Sequence, residues 1–175
     1  MSFVGQILDS KYEVIKLIGQ GADATVYEGR VLANNQKVAI KFDNNGSVMV
    51  LKRDFDSLTR FPSYYYTATP IDIGEHPEPY LVISLEGLPI GDLAKALKIG
   101  CLNRKQLTFI VFHAFTALKE MAALGFCHGD AHTNNFLLRR SPEVSLRKPE
   151  SCEGPILPVF FSSPLGAEPP RDGGD

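Results

Sequence analysis

His128-Gly129-Asp130-Ala131-His132-Thr133-Asn134-Asn135-Phe136-Leu137-Leu138 is the stretch on which the reading of this chain turns. Asp130 and Asn135 stand five places apart and run directly into an apolar triplet. On one loop they can do two jobs. Asp130 can orient a hydroxyl and accept its proton, while Asn135 offers a neutral oxygen to Mg²⁺. Any one of these polar residues alone would be an ordinary turn-forming side chain. The whole octet His128 to Asn135, directly behind a long helix, asks for a chemical explanation.

That helix is expected from about Arg104 to Leu124. Leu107, Ile110, Val111, Ala114, Leu118, Met121 and Ala122 fall at helical spacing. Asn103 with Gln106 forms a capping-box-like start, and Gly125 supplies a left-handed stop. Phe109, Phe112 and Phe115 lie partly off the stripe, which predicts a helix buried on more than one side.

Further upstream the pattern is that of strands. Tyr12 to Ile18 alternates imperfectly and is broken by Gly19 and Gly21. Thr25 to Gly29 and Lys37 to Phe42 follow, with Asn34-Asn35 between them, so an antiparallel meander is expected. Residues 47–61 show helical spacing at Met49, Leu51, Phe55, Leu58 and Phe61, and Tyr80 to Leu85 reads as an apolar strand. Two features in this half bear on chemistry. Gly19 to Val26 is a glycine turn between strands, where backbone N–H groups can approach phosphate oxygens without obstruction; an ordinary hairpin turn is the plain alternative. Lys41 ends an apolar strand, either as an edge residue facing solvent or as a cation beneath that turn.

Taken in order, these motifs resemble the protein-kinase-like superfamily over about residues 10–140. Gly19 to Val26 looks like its glycine-rich loop with Ala24 in place of the third glycine. Val38-Ala39-Ile40-Lys41 is similar to its lysine-bearing strand, and His128 to Asn135 to its catalytic loop. The resemblance implies an α+β fold with a complete N-lobe at about 10–86, made of an antiparallel sheet and one helix. A truncated, mainly helical C-lobe at 87–140 would follow. It further implies that Ile18, Val26 and Ala39 sandwich an adenine and that Gly19, Gly21 and Ala24 cover the phosphates. Lys41 would contact the α and β groups, and Ile83 would be the gatekeeper. Asp130 is then the catalytic base, Asn135 a Mg²⁺ ligand, and His132 stands where the family has a catalytic-loop lysine. The cofactors implied are ATP and Mg²⁺, and the partners ATP with a protein substrate or docking partner. The form His-Gly-Asp-x-His-x-x-Asn is similar to aminoglycoside and choline phosphotransferases, whereas Asn135-Phe136-Leu137 resembles casein-kinase-like proteins. Both branches stay open.

Two departures stand out. No Glu occurs between Glu28 and Glu75 to hold Lys41, and Asp54 is the best substitute. The family's second metal carboxylate, expected soon after Asn135, is missing, since the only later aspartates are Asp172 and Asp175. Residues 141–175 instead hold seven of the twelve prolines, and a disordered tail is expected there, with Ile156 to Phe161 its one sticky segment. That segment could cover apolar surface left on the long helix.

The remaining composition narrows the field. The 175 residues are 44% hydrophobic, with 18 basic against 20 acidic side chains, which excludes a wholly disordered chain. Net charge of −2 argues against nucleic acid or a polybasic membrane contact as partner. Cys101, Cys127 and Cys152 are widely spaced, giving neither a disulfide framework nor a zinc pattern. The N-terminus has no signal-peptide pattern, so a cytoplasmic protein is expected. The leading functional expectation is an ATP-dependent phosphotransferase acting on Ser/Thr hydroxyls. The alternatives are a non-catalytic nucleotide-binding interaction module and a small-molecule kinase.

Overall fold

The computed structural model describes residues 2–60, 67–89, 104–126, 131, 133, 135–138 and 159–161. The chain divides into two units, Met1–Pro62 with Ala68–Leu85, and Ser63–Thr67 with Glu86–Asp175.

The first unit is a six-stranded antiparallel sheet with one helix. Its strands are β1 (Ile7–Leu8), β2 (Tyr12–Gln20), β3 (Ala24–Val31), β4 (Lys37–Asp43), β5 (Pro70–Gly74) and β6 (Tyr80–Ser84), in the spatial order β1-β2-β3-β4-β6-β5. The helix α1 spans Val48–Arg60. The meander expected from the glycine and asparagine turns is present, and Asn35 takes a left-handed φ of 58°. The imperfect alternation in β2 has a structural cause. Register shifts fall between Val14 and Lys16 and between Leu17 and Gly19, and each bulge breaks the period-2 pattern that would hold one side chain in two against the core. Tyr12 and Val14 are accordingly buried, while Ile15, Leu17 and Ile18 are exposed. The strand also runs through Gly19 to Gln20, two residues past the expected break.

β4 and β6 are neighbouring interior strands, and their near-continuous apolar runs suit burial on both faces. Val38, Ile40 and Phe42 join Tyr80 and Val82 in a core that includes Phe3, Leu8, Tyr12, Val14 and Tyr27. The alternate residue Ala39 joins Leu81 and Ile83 in a second core with Leu51 and Ala68, as strand alternation requires. Here α1 packs, its Leu51 and Asp54 buried and Phe55 and Leu58 partly so. Met49, expected on that stripe, is 75% exposed; it precedes Leu51 by two places, and residues two apart do not share a helix face. Phe61 lies outside the described residues. Ser47 caps the helix, its Oγ accepting the Val50 N–H at 3.4 Å. Asp43 Oδ2 accepts the Asn45 and Ser47 N–H groups at 3.0 and 2.8 Å, tightening the link from β4.

Residues 2–10 complete the first core. Phe3 stacks on Phe42 with ring centroids 4.1 Å apart. The two ends of the sheet are tied through side chains. Tyr12 Oη donates to Asp72 Oδ2 at 2.9 Å, Lys11 Nζ lies 3.1 Å from the same oxygen, and Tyr80 Oη donates to Asp9 at 2.6 Å. Burial, with Asp72 beside it, pushes the Tyr12 hydroxyl up to about 12. Gly74 is required beside this tie, because a Cβ there would enter the Tyr80 ring. Across β2, β3 and β4, Lys16 and Lys37 both pair with Glu28, and the Lys37 bond leads in holding its carboxyl below the usual range.

The second unit contains β7 (Leu88–Pro89), helix α2 (Arg104–Ala123), β8 (Phe136–Leu138) and β9 (Val159–Phe161), its strands forming an antiparallel sheet in the order β7-β8-β9. α2 ends as expected at Gly125, whose φ is 79°. The Phe126 N–H reaches Met121 O at 2.9 Å and the Gly125 N–H reaches Ala122 O at 3.0 Å, a Schellman closure. The Asn103 start lies outside the described residues. Two expectations fail along this helix: of the expected stripe Leu107 and Val111 are 53% and 49% exposed, and the phenylalanines face outward as well. Ile110, Ala117 and Met121 are buried, but Phe112 and Phe115 are 64% and 70% exposed, so the phenylalanines do not mark a second buried side. Within the stretch expected to be a tail, Val159–Phe161 forms β9, pairs with β8 through Phe136↔Phe161 and lies against α2. This is the segment singled out as sticky. Of the described helices, none is long and apolar enough to cross a membrane.

Candidate functional site

Lys41 sits in β4 between β3 and β6, on the same strand face as Ala39. It is therefore neither an edge residue nor a solvent-facing one. Its ammonium donates to Asp54 Oδ2 at 2.9 Å, with the two side chains only 6% and 2% exposed. Their separation of thirteen positions is enough because Asp43, Ser47 and the helix start turn the chain back sharply. Asp54 does what the missing Glu would do, and its shorter side chain is accommodated by α1 lying on β4. Its other oxygen, Oδ1, is buried and has no hydrogen-bond partner among the described residues. Burial pushes the Asp54 carboxyl above its ordinary range, and Lys41 offsets this only in part.

The strand register assembles further expected residues around this pair. Gly19 lies opposite Val26, Val26 opposite Lys41, and Lys41 opposite Leu81, while Ala39 lies opposite Ile83. Val26, Ala39 and Ile83 belong to one apolar cluster. Ile18 stands at the β2 bulge, 38% exposed. Ala24 opens β3, and the Gly21 N–H reaches its carbonyl at 2.9 Å. Neither Gly19 nor Gly21 has a positive φ, and a Cβ on either would meet only ordinary contacts at 3.9 and 3.7 Å.

Asn44 was not foreseen. Its Nδ2 donates to Gly21 O at 3.0 Å and Ala22 O at 2.8 Å, its Oδ1 accepts the Thr25 hydroxyl at 2.8 Å, and its own N–H reaches Asp23 O at 2.8 Å. In the sequence Asp43-Asn44-Asn45-Gly46 signals only a turn.

In the second unit Asn135 is buried immediately before β8. Asp130 and His132 lie outside the described residues. For a nucleotide the described residues fit: an apolar row ends at a buried lysine. For a divalent cation they offer the neutral oxygen of Asn135, and no group of three or more His, Cys, Asp or Glu among the described residues could hold a metal.

Known proteins agree with this geometry. The chain is 25% identical over 140 residues to a probable serine/threonine-protein kinase of Dictyostelium discoideum. It is 28% identical over 147 residues to the serine/threonine-protein kinase mig-15 of Caenorhabditis elegans. It is 30% identical over 154 residues to CBL-interacting protein kinase 10 of Oryza sativa subsp. japonica. These matches cover 79%, 77% and 81% of the chain. These matches support a protein-kinase-like superfamily for the chain. Its first unit has the antiparallel sheet and single helix of a kinase-like N-lobe. The chain spans only 28%, 13% and 32% of the length of these three relatives. No family model matches it.

Proposed function

We propose that this chain is a kinase-like phosphotransferase that moves the γ-phosphoryl group of ATP to Ser/Thr hydroxyls. The observation that carries the reading is the buried Lys41–Asp54 pair, 2.9 Å apart. An ion pair so enclosed contributes little to stability over an apolar pair of the same size; a polyphosphate ligand gives the lysine a reason to be there. In this reading Val26, Ala39, Ile18 and Ile83 enclose the adenine. Lys41 binds the α- and β-phosphates, and the backbone at Gly19, Gly21 and Ala24 covers them. Asp130 accepts the hydroxyl proton, His132 takes the part of the family's catalytic-loop lysine, and Asn135 offers its oxygen to Mg²⁺. The metal would supply charge neutralisation on the phosphates.

The test is transfer of label from γ-radioactive ATP to a protein substrate by the full chain. Asp130→Asn is expected to abolish labelling and Lys41→Met to reduce it at least ~100-fold, in line with the loss of transition-state contacts. Labelling that survives both substitutions would overturn the reading.

A non-catalytic nucleotide-binding module is favoured by one observation. The strand that follows β8 in the chain and pairs with it is β9, and the chain continues from it as Ser162-Ser163-Pro164, with no carboxylate where the family carries its second metal ligand. ATP binding with no transfer under any metal would select this second reading.

A further inference from the structure

We propose that Asn44 is a positioning residue for the nucleotide's phosphates, acting through the glycine turn. This rests on the reading of that turn as the phosphate cover. In a trans peptide the C=O of one residue and the N–H of the next point in opposite directions. Asn44 takes the carbonyls of Gly21 and Ala22 with its side-chain amide and that of Asp23 with its backbone N–H. The N–H groups of Ala22, Asp23 and Ala24 are therefore all turned to the face of the turn remote from Asn44. Successive N–H groups presented together attract an anion. The Thr25 hydroxyl, donating to Oδ1, fixes which way the amide faces; the opposite orientation would set Oδ1 against two carbonyl oxygens.

Within the turn one backbone bond, Gly21 N–H to Ala24 O at 2.9 Å, limits its freedom; neither glycine takes a positive φ, and glycine peptide planes otherwise rotate readily. Preorganised donors bind charge better than donors that must be ordered first. Asn44 provides that order from the end of β4, three residues beyond Lys41, so one strand end positions both the cation and the N–H groups. Asn44 itself touches no phosphate in this arrangement.

The experiment compares ATP with adenosine on the full chain by calorimetric titration, for the wild type, Asn44→Ala and Thr25→Val, alongside amide hydrogen exchange of residues 21–25. With two side-chain bonds to the turn lost, Asn44→Ala is expected to bind ATP about tenfold more weakly. Adenosine, lacking phosphates, should bind as it does to the wild type. Exchange at Gly21 to Thr25 should quicken without a comparable change elsewhere in the sheet. Thr25→Val keeps both carbonyl bonds and should lose far less ATP affinity. Equal losses for ATP and adenosine would make Asn44 a purely structural residue and overturn the proposal. So would ATP affinity unchanged in Asn44→Ala, or Thr25→Val matching Asn44→Ala. A wild type that binds neither compound would overturn the phosphate-cover reading itself, and the role of Asn44 with it.

Discussion

Lys41 and Asp54 show how a single pair can be stable in a structure without being the reason for its stability. Each side chain gives up hydration on burial, and only the other returns part of it. Replacing Asp54 by Ala leaves the ammonium enclosed without a counter-charge, and is expected to cost about 3–5 kcal/mol in urea unfolding. The double replacement Lys41→Met with Asp54→Leu should unfold within about 1 kcal/mol of the wild type, while losing ATP binding. A double variant as unstable as Asp54→Ala would mean that the ion pair itself holds α1 to the sheet. Asp54 was legible as a candidate because no Glu lies within reach in the sequence. Asn44 was not legible: its partners lie nineteen to twenty-three residues upstream, brought close by strand pairing, and nothing local marks it as more than a turn residue.

At the scale of elements, periodicity placed β2, β3, β4, β6 and both described helices, missed β1, β5 and β7, and misjudged which side chains a helix buries. α2 is rich in apolar residues all round, so its pattern does not choose a face. The structure chooses Ile110, Ala117 and Met121. Met121→Ala should therefore destabilise the second unit by about 2–5 kcal/mol. Serine at Phe112 or Phe115 should change it by less than about 0.5 kcal/mol. Thermal unfolding and amide exchange along α2 read both, and a large cost at Phe115 would show that its ring is covered in solution. β2 teaches the opposite lesson, since its faltering alternation was accurate. The bulges were written in the sequence as a broken period, although their positions were not. β9 was visible only as a sticky run, because a three-residue strand is defined by its partner β8 rather than by its own pattern.

For the molecule as a whole, the order of motifs along the chain carried the family, and with it the sheet topology. What the motifs could not carry is the part played by the first residues. No pattern in residues 2–10 announces a structural role, yet Phe3 and Leu8 are core residues and Phe3 stacks on Phe42. Phe3→Ala is expected to cost about 3 kcal/mol or more. Chemical denaturation of the full chain measures this, and a cost below about 1 kcal/mol would show that the N-terminal segment rests on the sheet without supporting it.

The tie from Tyr12 and Lys11 to Asp72 has one more outcome. β1 and β5 are the two borders of the sheet, and a border strand is a template on which a foreign strand can grow. Side-chain bonds from Lys11 and Tyr12 to Asp72 on β5, and from Tyr80 to Asp9 beside β1, tie the two borders to each other. Two tyrosine hydroxyls and two carboxylates thereby help to keep those borders from joining the strands of another molecule.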